Sequence, residues 1–218
     1  MLSLSGPMCE SSQCCIRSCV KTFMILPSPL TPVLDACVLA GSYRRVALIS
    51  CAGLNMFRPL WSVKLLDEME RALPKTLRHA RLPGDEHLVY ARQVRTDLEA
   101  RFPDSTQAED TVTALSITLP DPGDVHVIQT CLSAGARLIV TENLRDFPPR
   151  PLAKLGLQRM KTDDFLHQIL TDDRAWNRHA LYESLEENLR RARLDPIIEP
   201  DEFRRVGLKK FARLLGAD

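Results

Sequence analysis

The sequence predicts an α/β fold on a mainly parallel sheet, because short apolar runs of strand character alternate with helical segments along much of the 218-residue chain. Strands joined through helices of roughly ten or more residues lie parallel, since each crossover returns the chain to the same end of the sheet. Carboxylates also stand just beyond several of these runs, and an open parallel sheet collects its ligands outside the carboxyl ends of its strands. No internal repeat or low-complexity tract interrupts the pattern.

The elements follow in order. After the proline-rich ILPSPLTP, Val33 and Leu34 form a short buried strand that ends on Asp35. Residues 42–54 (SYRRVALISCAGL) read as a helix with Val46, Ile49 and Leu54 among its apolar positions. FRPLW at 57–61 is a second short strand, and Ser62 caps a helix to about Leu73 that buries Leu65, Leu66 and Met69. A charged, more exposed helix covers Asp85 to Ala100. Val112 to Leu119 is strand-like and runs into the turn PDPGD, after which Val125 to Ala134 is helical and Gly135 ends it. Arg137 to Thr141 is the clearest strand, and a last one near Leu157–Met160 precedes a helix starting at Thr162. From Arg174 the pattern is helical and charged, broken at Asp195–Pro196. The predicted division is an N-terminal extension without regular structure at 1–23, a domain at 24–173 and a helical C-terminal extension at 174–218.

Composition narrows the function. Hydrophobic residues make up 44% and charged residues 26%, a globular balance, and the net charge of +1 leaves any nucleic-acid contact to a local patch. No run approaches the ~18 apolar residues of a membrane span, so the expectation is a cytoplasmic protein without a membrane partner. Of the seven cysteines, Cys9, Cys14, Cys15 and Cys19 crowd the N-terminus without zinc spacing. Cys37, Cys51 and Cys131 read as small reduced core residues.

The carboxylates carry the chemistry. Asp35 ends the first strand, Asp121 and Asp124 follow another at a helix start, and Asn143 and Asp146 follow Thr141. Glu68, on the helix after Trp61, reaches the same edge if that helix leans over it. Either acid of the turn taken alone is a helix cap more often than a ligand. Three or four carboxylates gathered without cysteine or histidine are instead the hard-oxygen set suited to Mg²⁺ or Mn²⁺, and their mutual repulsion favours a cation. Such a set points to phosphoryl hydrolysis. Cys37 stands where a haloacid-dehalogenase-type phosphatase needs an aspartate, and ACVLAG lacks a dinucleotide-binding glycine pattern. Trp61 reads as core, and His126 as structural or at the substrate edge. The arginines and lysines from Arg190 to Arg213 are either an RNA-phosphate contact or a solvated helical face.

VLDACVLAG (33–41), FRPLWSVKLLDEMER (57–71), LPDPGDVHVIQTCLSAGARLIVTENLRDFP (119–148) and TDDFL (162–166) resemble the PIN-domain ribonucleases, closest to the VapC-like branch of bacterial toxin–antitoxin systems. The resemblance spans about Val33 to Leu170. It implies a three-layer α/β/α sandwich on a parallel sheet of about five strands. It also implies a Mg²⁺- or Mn²⁺-dependent endoribonuclease with Asp35, Glu68 and Asp124 as catalytic, metal-holding acids. Asp121, Asn143 and Asp146 are further ligand candidates, with Asp121 supporting the turn or reaching the ion through water, and Thr141 and Ser62 are supporting residues. Where the family often has an aspartate two residues past the strand-end threonine, this chain has Asn143; one well-held metal is therefore expected rather than two. The implied partners are RNA, a cognate antitoxin with a helix-turn-helix domain, and a second copy in a homodimer. The competing expectation, prompted by Asn143, is a PIN-like RNA- or protein-binding module without catalysis.

Overall fold

The computed structural model describes residues 30–76, 85–107, 118–172 and 177–216. The expected extension at 1–23, most of the expected strand at Val112–Leu119 and the junction at 173–174 lie outside them.

Five short strands are described: β1 (Val33–Leu34), β2 (Trp61–Ser62), β3 (Thr106–Gln107), β4 (Leu138–Val140) and β5 (Gln158–Met160). β1, β4 and β5 pair in parallel, as do β2 and β3, and a parallel bridge from Val33 to Leu60 joins the two sets. Leu34 donates its backbone N–H to the Leu60 carbonyl at 2.8 Å, and Leu60 donates to Pro32 at 2.9 Å. The resulting order, β3-β2-β1-β4-β5, is the parallel sheet of about five strands that the sequence implied. From β1 the chain steps outward through β2 to β3, then returns to the other side of β1 as β4. The order therefore reverses between β1 and β4, where the carboxyl ends of a parallel sheet open a crevice.

Helices cover the sheet. α1 (Ala36–Ala40) packs on α3 (Val63–Thr76), which packs on α4 (Glu86–Arg101), while α5 (Val125–Ser133) lies against β1, β2 and β4. Val33, Leu34, Ile139 and Val140 are fully buried, the near-continuous apolar signature of strands covered on both faces. Trp61 is also fully buried, with its ring edge-on to Phe102 at 6.0 Å, which places it in the core as the sequence suggested. Gly135 ends α5 at φ 66°, a left-handed conformation, and Ala136 donates back to the Cys131 carbonyl at 2.8 Å.

Four elements differ from expectation, and one is β3, where no strand was read. α1 hides inside the apolar run VLDACVLAG, where no periodicity separates strand from helix. The second strand is centred on Leu60–Ser62 rather than 57–61, because Phe57 turns aside to meet Phe165 edge-on at 4.9 Å. α6 (Pro149–Lys154) begins in consecutive prolines, with one at a first-turn position that tolerates the missing N–H.

The tail forms three helices, α8 (Arg178–Arg191), α9 (Pro200–Arg205) and α10 (Lys209–Leu215), which share a single apolar cluster with the sheet. α8 lies on α2 (Ser42–Gly53) with Leu181, Leu185 and Leu189 fully buried. Ser50 and Ser184 exchange hydroxyl-to-carbonyl bonds at 3.2 and 3.3 Å, and Asn188 donates to Ser50 Oγ at 3.0 Å. α7 (Thr162–Asp172) carries Asp163, whose carboxylate accepts from the Lys210 and Phe211 backbone N–H groups that open α10. Among the described residues no helix is long and apolar enough to cross a membrane.

Candidate active site

The crevice between β1 and β4 is lined first by the residues that end those strands. Asp35 follows β1 and is only 8% exposed. Its backbone N–H donates to the Val140 carbonyl at 3.0 Å, which ties it to the neighbouring strand end. Asp35 caps α1 by position, yet its carboxylate makes no cap bond. Instead Oδ2 accepts from the Thr141 hydroxyl at 2.6 Å and from the Cys37 thiol at 3.0 Å. Thr141 also accepts the Asn143 N–H at 3.0 Å, so its hydroxyl hydrogen is committed to Asp35. Two strand ends and the following loop thus fix the orientation of one buried acid.

The segment LPDPGDVH divides its two acids between two jobs. Asp121 accepts the Gly123 N–H at 2.7 Å and holds a 3₁₀ turn over Pro122–Asp124. A side chain on Gly123 would come within 3.0 Å of that carboxylate oxygen, so glycine keeps the turn tight. Asp124 sits at the cap position of α5 but makes no cap bond, leaving its carboxylate unspent. The turn therefore contains one cap and one free acid.

Glu68 comes from α3, the helix opened by Ser62, whose hydroxyl accepts the Leu65 N–H at 3.2 Å. Ser62 supports the site only by starting the helix that carries the acid. Glu68 Oε2 stands 3.2 Å from His126 Nε2, close enough for an ion pair but without hydrogen-bond alignment. His126 is 4% exposed, and its Nδ1 lies 2.6 Å from the Gly123 carbonyl, so that nitrogen must carry the hydrogen. His126 thus braces the turn with one nitrogen and faces Glu68 with the other. Asn143 donates its amide to Asp146, which places the neutral residue and the charged one side by side.

Electrostatics join these acids. Burial, and then the charges of Asp35, Asp121, Asp146 and Glu68, push the Asp124 carboxyl up to about 6. All the expected acids therefore act on one carboxylate. The donor set is oxygen-only, as a hard divalent cation requires, and the surplus negative charge would be relieved by one. The side chains are not closed on a point: among the described residues no three His, Cys, Asp or Glu groups stand ready to hold a metal. Asp35, Glu68, Asp121 and Asp146 each face a local partner, whereas Asp124 does not. The chemistry fits an ion; gathering the ligands requires side-chain rotation.

One contact was not anticipated here. Cys37 was expected as a core residue, but its thiol contacts Asp35 and lies 3.4 Å from Thr141 Oγ1. Burial first, then the Asp35 charge, raise that thiol to about 12, so it stays protonated and serves as a donor. Its spacing two residues from Asp35 was the only sequence signal. His126, read as structural or at the substrate edge, takes the structural part by bracing the turn through Nδ1.

The sequence model of the PIN domain matches residues 31–145, just over half the chain. No curated protein and no solved structure is similar enough to register as a match.

Proposed function

Because the chain belongs to the PIN-domain family, whose members are generally nucleases, we propose that it is a Mg²⁺- or Mn²⁺-dependent endoribonuclease. We place it in the VapC-like branch, acting in the cytoplasm as the toxin of a toxin–antitoxin pair. The observation that carries the chemistry is Asp124, an unspent carboxylate on which four other acids converge. Asp35, Glu68 and Asp124 would hold the ion, with Asp146 and the Asn143 carbonyl as further oxygen donors, and Asp121 keeps the turn. Thr141 and Cys37 orient Asp35 by donating to Oδ2, leaving its other oxygen for the ligand set. When bound, a divalent cation draws charge from a phosphodiester oxygen and acidifies water. The protein's part is to keep the acids in register and within reach of a backbone phosphate. The proposed antitoxin blocks the same edge by presenting an arginine or lysine, which pairs well with crowded carboxylates.

Asn143 supports a second reading, a PIN-like module that binds RNA or protein without cutting, since a neutral side chain stands where the family often has an acid. One experiment separates the two. Purified protein is incubated with RNA and Mg²⁺ or Mn²⁺, against a chelated control, as wild type and Asp35→Asn. The nuclease reading expects metal-dependent cleavage that falls more than about a hundredfold in the variant, beyond what loss of a supporting residue produces. RNA retained uncut under every condition establishes the binding module instead. Growth arrest on expression, relieved by co-expressing a small helix-turn-helix reading frame found adjacent to the gene, tests the toxin role.

A further inference from the structure

Helices α2, α4 and α8 surround a cavity of about 260 Å³ that none of the acidic-edge residues lines. Its apolar wall includes Val46, Ile49 and Val94, and three guanidinium groups face it, from Arg45, Arg101 and Arg191. Arg45 is the unusual one. It is only 5% exposed, yet its hydrogen-bond partners are neutral: the Leu39 carbonyl at 2.6 Å and the Tyr90 hydroxyl at 3.2 Å. The carboxylate whose charge reaches it is Asp97. That group is already engaged by Arg101 at 3.2 Å and by Arg191 at 2.7 Å. The lining thus holds three cations and one anion. Taking a guanidinium out of water without a counter-charge is costly, and arginine does not escape that cost by losing its proton.

The cations are also held in place before any ligand arrives. Tyr90, which accepts from Arg45, donates to the Ala192 carbonyl at 3.1 Å. Arg101 donates to Asn188 Oδ1 at 2.7 Å, and Arg191 is steadied from outside by Glu187 at 2.9 Å. Little reorganisation would accompany binding, which is how a preformed site gains affinity.

We propose that this cavity binds a compact oxyanion, phosphate or a phosphate monoester, through Arg45, Arg101 and Arg191. With Asp97 shared by Arg101 and Arg191, and Glu187 on Arg191 from outside, the charge of Arg45 is left unmatched; an oxyanion would match it, and guanidinium forks suit its oxygens. The volume lies below the ~300 Å³ at which drug-sized ligand pockets begin, which favours a small ligand over a chain. The apolar wall gives an ester substituent a place to lie.

The test uses the full chain with inorganic phosphate as the probe, at constant ionic strength balanced with chloride. Melting temperature and calorimetric binding are followed for wild type, Arg45→Met, Arg191→Gln and the acidic-edge control Asp35→Asn. Wild type and Asp35→Asn should show the same saturable binding. Arg45→Met should lose it, and Arg191→Gln, at the more exposed side, should weaken it about tenfold. Should Arg45→Met fail to fold, Arg191→Gln alone decides. A 5′-mononucleotide titrated in the same way separates ester from free ion, and binding of either supports the site. Phosphate stabilisation that is unsaturable, or equal in wild type and Arg191→Gln, is general ion exclusion from the surface and overturns the proposal, as does no binding.

Discussion

The acidic edge and the α2–α4–α8 seam both place charged groups against a buried core, and they resolve the problem in opposite ways. In the seam, Asp97 has two arginines, Asn188 joins Arg101 to Ser50, and the uncompensated charge is positive. At the edge the uncompensated charge is negative, and burial with the charges of the neighbouring acids raises Asp124 to about 6. Folding alone favours the Asp97 part of the seam, because a buried charge needs partners, whereas Arg45 has only neutral ones. The edge retains like charges, and the proposed divalent cation would relieve them. Strain of that kind marks a working site more often than a scaffold.

The largest effect expected from breaking this contrast is at Thr141. Its hydroxyl is fully buried and directs its hydrogen to Asp35. Thr141→Val keeps the shape but removes the donor, and supporting hydrogen bonds of this type are worth about ten- to a hundredfold in activity or metal affinity. The expected outcome is a drop of that size in metal-dependent cleavage with little change in RNA affinity. An unchanged rate would remove Thr141 from the machinery.

The seam should respond in stability rather than activity. Asn188 is 5% exposed, donates to Ser50 Oγ at 3.0 Å and accepts from Arg101 at 2.7 Å. Truncation to alanine strands those partners and leaves space, so Asn188→Ala should cost about 1–3 kcal/mol by urea denaturation. Cleavage at a temperature where the variant is folded should match wild type. A selective loss of activity would show that the tail and the edge are coupled.

How far the sequence carried these two regions differs for a physical reason. β1 and β4 were legible because both faces are covered, which writes a plain apolar run, and Asp35 stood out at the end of one. The acid set followed from its position at strand ends together with the family resemblance. β3 was not legible: Thr106 and Gln107 are polar, and two residues of an edge strand leave no alternation to read. Arg45 drew no reading from the sequence, because α8, which packs on its helix, arrives from more than a hundred positions away. Its burial is a tertiary fact that no local pattern contains.

The smallest expected effect concerns Asp124 itself, and its sign distinguishes a strained acid from a structural one. An ordinary salt-bridged carboxylate has a lowered pKa and adds stability above it. Asp124 is shifted the other way, from 3.8 to about 6, so between those values the folded protein binds more protons than the unfolded chain. Stability then falls as pH rises through that window, and the whole penalty is present above it. Replacing Asp124 with asparagine removes the charge and hence the penalty. In chelator, Asp124→Asn should melt higher than wild type at about pH 8, and the gap should close as pH falls toward about 4. Adding Mg²⁺ or Mn²⁺ should reverse the order, because the ion stabilises the fold only to the extent that its ligands bind it. A variant that melts lower than wild type in chelator at every pH would make Asp124 a structural cap after all.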